Sequence, residues 1–315
     1  QLYARIQEVE AQTSLEQVIV TGLQEFAGGP TRNEPPSVGT STHIRWLQEV
    51  LQAAPEQPAT VDVAPDHIAA LLYTGGTTGV PKGAQLSHRN LVVNAIQMAT
   101  WLQGALVEGQ EITLSALPLT HSYGLTVSLN QSIYRGFAQV LIPNARQLDD
   151  LLMAIHTHRP SLFPGVPSLY AAINHHPGVR DGRVQLTSVK VCISGAAPLP
   201  PEVQNEFQRL SGGRLVEGYG LTEASPVTHC NPVLGAGQVG SIGLPLPDTD
   251  CKIVDADTES ETLGPEQAGV LCVSGPQVMQ GYWKMPEETA QVLRRDGTGR
   301  LWLHTGDVAV MSADG

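Results

Sequence analysis

Short apolar runs alternate with helix-length segments through the middle of the chain, and this order constrains the fold more than any other feature. Such runs lie at 68–73, 112–117, 138–142 and 189–193, with 214–216 as a further candidate. Consecutive strands joined by helix-length crossovers pair in parallel and carry helices on both faces of the sheet. The sequence therefore predicts an α/β fold with a mainly parallel sheet flanked by helices.

The pattern changes after about residue 225, where short β-rich runs alternate with Gly, Pro and Asp turns. Such spacing predicts a smaller, barrel-like β-rich subdomain. We expect three parts: a partial N-terminal segment and linker at 1–67, an α/β subdomain at 68–224, and the β-rich subdomain at 225–315.

Composition excludes several classes of function. The net charge is −12 and the 18 Lys and Arg residues form no basic cluster, so we expect no nucleic-acid partner. The four cysteines have no C-x-x-C spacing, which favours buried thiols in a reducing compartment. No apolar run approaches the roughly 20 residues that span a bilayer. We expect a cytoplasmic protein with no transmembrane segment.

The segment Tyr-Thr-Gly-Gly-Thr-Thr-Gly-Val-Pro-Lys-Gly at 73–83 carries the clearest chemical signal. Glycines let a backbone approach an anion closely, threonine hydroxyls add donors, and lysine adds a mobile positive charge. Ser87 is a candidate helix N-cap, and a helix beginning just after the loop would favour the same anionic ligand. The P-loop spacing fails here, because Lys82 stands between Pro81 and Gly83. The loop suits a triphosphate.

Two further segments carry polar groups suited to a nucleotide. In Glu-Gly-Tyr-Gly-Leu-Thr-Glu at 217–223, Tyr219 offers a ring to stack on adenine, Thr222 a hydroxyl for phosphate, and Glu223 a hard ligand for Mg²⁺. Asp307 follows Gly306 and could accept two hydroxyl donors. Plainer interpretations are a solvated carboxylate for Glu223, a turn residue for Asp307 and a packed core histidine for His121.

These segments together resemble the adenylate-forming superfamily of acyl-CoA synthetases, aryl-CoA ligases, peptide-synthetase adenylation domains and luciferases. The loop and its continuation at 84–91 are most similar to bacterial long-chain fatty-acid–CoA ligases. Segments 117–124, 194–199, 217–223, 269–283 and 302–307 match in the same order.

The resemblance implies a role for each matching residue. Thr74, Lys82, His121 and Glu223 would be catalytic, and Glu223 would bind the metal. The remaining nucleotide-binding residues would be Gly75, Gly76, Thr77, Thr78, Gly79, Gly195, Ala196, Ala197, Glu217, Gly218, Tyr219, Gly220, Thr222 and Asp307, in addition to Thr74 and Lys82.

The implied activity is ATP-dependent conversion of a medium- or long-chain fatty acid, or another carboxylic acid, to its acyl-adenylate. In the full-length parent, CoA would then accept the acyl group. The resemblance also leaves open that the full-length parent is a homodimer. The chain does not begin with Met and stops eight residues after Asp307. We therefore expect a large-domain fragment that lacks the C-terminal catalytic-lysine domain and binds ATP or AMP with little turnover.

Other functions stay open at this point. A fatty-acyl-AMP ligase or an aryl- or amino-acid-adenylating enzyme would share these motifs, although 194–199 holds no charged residue to pair with an amino acid. A non-catalytic nucleotide-binding fragment would not need Lys82, Glu223 and Asp307 together. A hydrolase finds little support, because no G-x-S-x-G segment is present.

Overall fold

A computed structural model describes residues 5–6, 8–9, 12–22, 44–75 and 80–315. The chain divides into two compact units, 1–62 and 63–315. In the first unit, β1 (Val18–Val20) pairs in parallel with β2 (Ile44–Trp46), and α1 (Leu47–Ala53) follows directly. None of the helices in these described ranges is long and apolar enough to cross a membrane.

The second unit contains the remaining elements. Its strands are β3 (Ile68–Thr74), β4 (Lys82–Ser87), β5 (Ile112–Ser115), β6 (Ala138–Leu141), β7 (Leu162–Gly165), β8 (Val191–Ser194), β9 (Arg214–Gly220), β10 (Val227–Cys230), β11 (Leu244–Pro245), β12 (Asp250–Val254), β13 (Ala268–Ser274), β14 (Leu293–Arg295) and β15 (Leu301–Val310). Its helices are α2 (His88–Trp101), a π-helical segment (Gly124–Asn130) continuing as α3 (Gln131–Tyr134), α4 (Leu148–His158), α5 (Pro167–His175), α6 (Pro177–Arg180), α7 (Pro201–Ser211), a 3₁₀ turn (Thr222–Ala224) and α8 (Pro286–Val292).

Seven strands form one large sheet in the order β11-β10-β9-β8-β7-β5-β6. The run from β6 through β5, β7 and β8 to β9 is parallel, which confirms the predicted α/β architecture. The chain leaves β5 for β6 on one side and then returns past β5 to β7 on the other. Such a reversal opens a crevice at the carboxyl ends of the strands, which is where ligands bind in sheets of this type.

Helices cover both faces of this sheet. Along β8, Cys192 packs in one buried cluster, while Val191 and Ile193 pack in another, as the alternation of strand side chains requires. Tyr170 lies in the first cluster, edge-on to the ring of Phe207 at a centroid distance of 4.9 Å. The parallel strands are therefore buried on both sides.

The glycine-rich loop connects β3 and β4, which pair in an antiparallel hairpin with Thr74 opposite Lys82. The prediction that a helix begins just after the loop is wrong: the chain first returns along β3 as β4, and α2 begins only at His88. Ser87 is the N-cap of α2, as predicted, and its hydroxyl accepts a hydrogen bond from the backbone N–H of Asn90. The N-terminal field of α2 is therefore separated from the loop by the length of β4.

A smaller antiparallel sheet of order β12-β13-β15-β14 confirms that a separate β-rich part exists. The last strand, β15, runs without a break from Leu301 to Val310, and within it Gly306 has φ +78°. Strands β10 and β11 fall in the range assigned to the β-rich part, 225–315, but they extend the large sheet instead. They belong to the large sheet because β10 folds back and pairs antiparallel with the end of β9.

Candidate functional site

A cavity of about 240 Å³ opens at the carboxyl ends of β8 and β9. Seven residues predicted from the sequence line it: His121, Gly195, Ala196, Gly218, Tyr219, Gly220 and Thr222. The lining also includes Ser122, Tyr123, Ile193, Leu221, Pro226 and Val227, which the sequence analysis did not single out. Ser122, Tyr123 and Leu221 could have been predicted, because they lie inside the matching segments 117–124 and 217–223.

Small residues form one wall of the cavity because larger ones would not fit. A Cβ added to Gly195 would lie 3.2 Å from the Tyr123 ring, and one added to Gly218 would lie 3.1 Å from Ile193 Cγ2. The Tyr123 ring cannot easily move, since its hydroxyl donates a 2.6 Å hydrogen bond to the Ile193 carbonyl. At Gly220 an added Cβ would lie 2.0 Å from the Pro226 carbonyl oxygen. The wall therefore offers backbone rather than side chains to a flat ligand.

Asp307 does not line the cavity, but Tyr219 connects it to the lining. The Tyr219 hydroxyl donates to Asp307 Oδ2 at 2.6 Å, and the Thr305 hydroxyl accepts from the Asp307 N–H at 3.1 Å. Burial, and then the adjacent Asp307 carboxylate, raise the pKa of Tyr219 well above its usual range. The Tyr219 ring also lies edge-on to the His229 ring, with 6.1 Å between the ring centroids. An exposed carboxylate and an aromatic ring thus share one edge of the cavity.

His121 lies in the connection after the carboxyl end of β5, the strand at which the strand order reverses. Its Nδ1 accepts a hydrogen bond from the Tyr123 backbone N–H at 3.1 Å, so the neutral ring carries its proton on Nε2. The side chain is exposed, which leaves Nε2–H available as a donor to a ligand. Beside it, the hydroxyls of Ser122 and Thr222 lie 3.3 Å apart.

Glu223 lies in the 3₁₀ turn next to this cavity. Its Oε1 accepts a 2.6 Å hydrogen bond from the Tyr282 hydroxyl, and its backbone carbonyl accepts one from the Met279 N–H at 2.8 Å. Within the described ranges, no group of three or more His, Cys, Asp or Glu side chains is arranged to hold a metal. One carboxylate with a second oxygen to offer fits Mg²⁺, which is commonly held by one or two carboxylates together with substrate phosphates and water.

The hairpin loop is described in part. The Thr74 hydroxyl donates to the Lys82 carbonyl at 3.4 Å, and Lys82 Nζ lies 5.3 Å from the centroid of the Tyr282 ring. Among the described residues other than its chain neighbours, no atom lies within 4 Å of a Cβ added to Gly75. The predicted residues Gly76, Thr77, Thr78 and Gly79 lie outside the described residues.

Two predicted residues lie beside the cavity lining rather than in it. Ala197 is exposed and follows Ala196, which holds a left-handed backbone conformation with φ +69°. Glu217 is half-buried in β9. Burial raises its pKa, and a hydrogen bond from the Leu199 backbone N–H opposes that rise.

The fold and the cavity define a doubly wound α/β protein with a glycine-walled ligand site at the carboxyl ends of its strands, bordered by separate groups suited to an anion, a sugar hydroxyl and a metal. The model of one family, AMP-binding enzyme, matches residues 4–283. The chain belongs to this family, which confirms the resemblance carried by its motifs.

Curated relatives agree. The chain is 48% identical over 254 residues to a long-chain-fatty-acid–CoA ligase of Bacillus subtilis, a match that covers 80% of this chain and 44% of the relative. It is 37% identical over 266 residues to a feruloyl-CoA synthase of an Amycolatopsis species, covering 84% of this chain and 51% of the relative. The chain therefore spans about half the length of these relatives.

Solved structures show the same fold. The ATP-bound structure of MatB from Rhodopseudomonas palustris superposes with a TM-score of 0.75 at 31% identity, covering 85% of this chain and 50% of that one. A long-chain-fatty-acid–CoA ligase from Archaeoglobus fulgidus superposes with a TM-score of 0.81 at 25% identity, covering 100% of this chain and 59% of that one.

Proposed function

We propose that the protein activates a carboxylic acid with ATP and transfers the acyl group to CoA, and that the acid is a medium- or long-chain fatty acid. The observation that carries this proposal is the glycine-walled cavity, which Tyr219 lines. Asp307 lies at the edge of the cavity and accepts a hydrogen bond from Tyr219. The long-chain-fatty-acid–CoA ligase of Bacillus subtilis, 48% identical, supports the choice of acid.

The reaction has two steps. A carboxylate oxygen of the acid bonds to the α-phosphorus of ATP, and the bond from that phosphorus to the bridging oxygen breaks, releasing pyrophosphate. The CoA thiol, losing its proton, then attacks the acyl carbon, and AMP leaves. Catalysis of the first step is mostly positioning and charge neutralisation, so residues that hold phosphates matter most.

The chain's own residues divide this work. Thr74, Lys82 and the intervening loop would hold the β- and γ-phosphates, Thr222 would donate to phosphate, and His121 would donate from Nε2 to the acid carboxylate. Glu223 would hold Mg²⁺, which when bound neutralises phosphate charge. Lys82 and Glu223 both lie beside Tyr282, which supports the proposal that they act on the same ligand.

The nucleoside would be held by the other half of the site. Gly195, Ala196 and Ala197 would face adenine on one side, and the segment from Glu217 to Gly220 on the other, with the Tyr219 ring stacked on the base. Asp307 would accept hydrogen bonds from the ribose hydroxyls. Its Oδ2 accepts one from Tyr219, and because an ionised carboxylate can accept about four hydrogen bonds, two ribose hydroxyls can still donate to it.

We further propose that the α/β subdomain at 68–224 carries the ATP and acyl sites and that the β-rich part contributes the ribose carboxylate. The four cysteines are unpaired thiols, three of them buried, which supports a reducing, cytoplasmic location. We also propose that the full-length parent forms a homodimer and that the protein has no nucleic-acid partner.

Acid-dependent exchange of labelled pyrophosphate into ATP tests this function. We expect Mg²⁺-dependent exchange with saturated acids of medium or long chain, at a low rate for this chain alone, and its loss in Lys82→Ala. The feruloyl-CoA synthase relative, 37% identical, makes ferulate the sharpest competing acid. Exchange with ferulate but no fatty acid would replace the proposed substrate. Saturable ATP binding without exchange for any acid would favour a non-catalytic nucleotide-binding role.

A further inference from the structure

The segment after β13 lies against the hairpin formed by β3 and β4. Backbone hydrogen bonds join it to β4: the Gln85 N–H donates to the Gly281 carbonyl at 2.8 Å, and the Trp283 N–H donates to the Gly83 carbonyl at 2.7 Å. This pairing places Tyr282 opposite Ala84 in β4, two residues from Lys82. The matching segment 269–283, none of whose residues was predicted to bind the nucleotide, therefore borders the site.

Tyr282 contacts both Lys82, which is assigned to the phosphates, and Glu223, which is assigned to Mg²⁺. Its hydroxyl donates to Glu223 Oε1 at 2.6 Å, and Lys82 Nζ lies 5.3 Å from its ring centroid. The residue is only 6% exposed, so its ring has little freedom to leave these partners. One side chain thus connects the anionic and the cationic group of the proposed phosphate site.

The two contacts have different physical effects. A hydroxyl donating to a carboxylate makes a short, charge-assisted hydrogen bond, and it fixes the rotation of the carboxylate, so that Oε2 is the oxygen presented to a ligand. The ring face attracts the lysine ammonium and restricts its long side chain. Within the described part of the chain, Tyr282 is the side chain that donates to the Glu223 carboxylate.

We propose that Tyr282 is a positioning residue of the phosphate site: its hydroxyl orients Glu223 toward Mg²⁺, and its ring holds Lys82 near the phosphates. This inference rests on the proposed function, which assigns Glu223 and Lys82 their ligands. Residues hydrogen-bonded to a metal-binding carboxylate alter metal affinity by about 10- to 100-fold when they are replaced.

A purely structural Tyr282 would behave differently. Its backbone N–H donates to the Thr289 hydroxyl at 2.9 Å, and that hydroxyl donates to the Met285 carbonyl at 2.7 Å. Replacing Thr289 with valine loosens the same segment but leaves the Tyr282 hydroxyl in place. Thr289→Val is therefore the matched control for Tyr282→Phe, and Tyr134→Phe, a tyrosine 54% exposed, controls for loss of a surface hydroxyl.

The experiment is calorimetric titration of each variant with a non-hydrolysable ATP analogue at a series of Mg²⁺ concentrations. We expect Tyr282→Phe to raise the half-saturating Mg²⁺ concentration about tenfold, with Mg²⁺-free nucleotide affinity unchanged because the ring still holds Lys82. Glu223→Gln should raise it at least as much, and adding Tyr282→Phe to Glu223→Gln should have no further effect. Tyr282→Leu should also weaken Mg²⁺-free binding.

An unchanged Mg²⁺ midpoint in Tyr282→Phe, with a shifted midpoint in Glu223→Gln, would overturn the role of Tyr282 and leave the proposed function standing. Equal shifts in Thr289→Val and Tyr282→Phe would also overturn it, since packing would explain both. Failure of the folded wild-type chain to bind nucleotide at any Mg²⁺ concentration would remove the proposed function, and the role of Tyr282 with it.

Discussion

The Tyr219 hydroxyl donates a 2.6 Å hydrogen bond to Asp307 Oδ2, and this bond joins β9 of the seven-stranded sheet to β15 of the four-stranded sheet. The carboxylate of the smaller sheet is thereby held at the edge of a cavity built by the larger one. A nucleotide in that cavity would contact both sheets, with its base on the glycine wall and its ribose at Asp307.

Asp307→Asn should reduce affinity for ATP about tenfold, because an amide is a weaker acceptor of two hydroxyl donors than a carboxylate. The variant should also lose the ability to distinguish ATP from 2′,3′-dideoxy-ATP. Competition titrations of both nucleotides against wild type and variant measure this. Asp257→Asn, at an exposed aspartate, is the control. A variant that still prefers ATP over the dideoxy nucleotide would contradict the ribose assignment.

Gly195→Ala should narrow the cavity. The added methyl would lie 3.2 Å from a Tyr123 ring that its own hydrogen bond holds in place. Overpacking of this kind costs about 1–3 kcal/mol, and here the loss should fall on nucleotide binding. Gly264→Ala, where an added Cβ meets nothing within 4 Å, is the matched control. Equal nucleotide affinity in the two variants, measured by calorimetry, would show that the glycine wall does not face the nucleotide.

His229 should make stability depend on pH. Burial lowers the pKa of His229 from 6.5 to about 4. Between about pH 6.5 and pH 4 the His229 side chain is therefore protonated in the unfolded chain but neutral in the folded chain. The contribution of His229 to the free energy of unfolding is fully present above pH 6.5 and is lost as the pH falls from 6.5 to 4. It amounts to at most about 3 kcal/mol. Urea unfolding at pH 7.5 and pH 5 should show a smaller difference in His229→Gln than in wild type. An unchanged difference would mean that His229 is not buried neutral.

Asn94→Ala should destabilise the fold by about 3 kcal/mol, because it leaves two buried backbone groups without partners. Asn94 is fully buried in α2, donates to the Val227 carbonyl at 2.8 Å and accepts from the Val227 N–H at 3.0 Å. It thereby anchors β10 beside the cavity. Asn205→Ala, on the exposed side of α7, should change the free energy of unfolding by less than about 0.5 kcal/mol. Similar urea midpoints for the two variants would contradict the anchoring role.

The sequence predicted those elements whose patterns are local. Apolar runs predicted the parallel strands β5, β6, β8 and β9, and Ser87 predicted the start of α2, because a strand buried on both faces and an N-cap depend on neighbouring residues. The run at 68–73 was wrongly placed in the parallel sheet: it forms β3, which pairs antiparallel with β4 in a separate two-stranded sheet. Strand β4 was missed, because its residues Lys82–Ser87 carry little apolar pattern and pair with β3 on one side and with distant residues 280–283 on the other. The return of β10 onto β9 was likewise not visible in any local pattern.

The candidate site shows the same division. Motifs identified most of the cavity lining, since glycines and aromatic residues at strand ends are visible in the sequence. Contacts between motifs were not predictable: Tyr282 approaches Glu223 over 59 residues of separation, and Tyr219 approaches Asp307 over 88. Such pairs depend on how the strands are ordered, which no single segment encodes.

Calorimetric titration of the folded chain with a non-hydrolysable ATP analogue in the presence of Mg²⁺ tests the central claim most directly. We predict saturable binding at one site that weakens at least about tenfold in Glu223→Ala, because removing the metal-binding carboxylate itself should cost no less than removing a group hydrogen-bonded to it. Absence of binding by a chain that unfolds cooperatively, or equal binding by wild type and Glu223→Ala, would contradict the claim that this cavity and its neighbouring carboxylate form a nucleotide site.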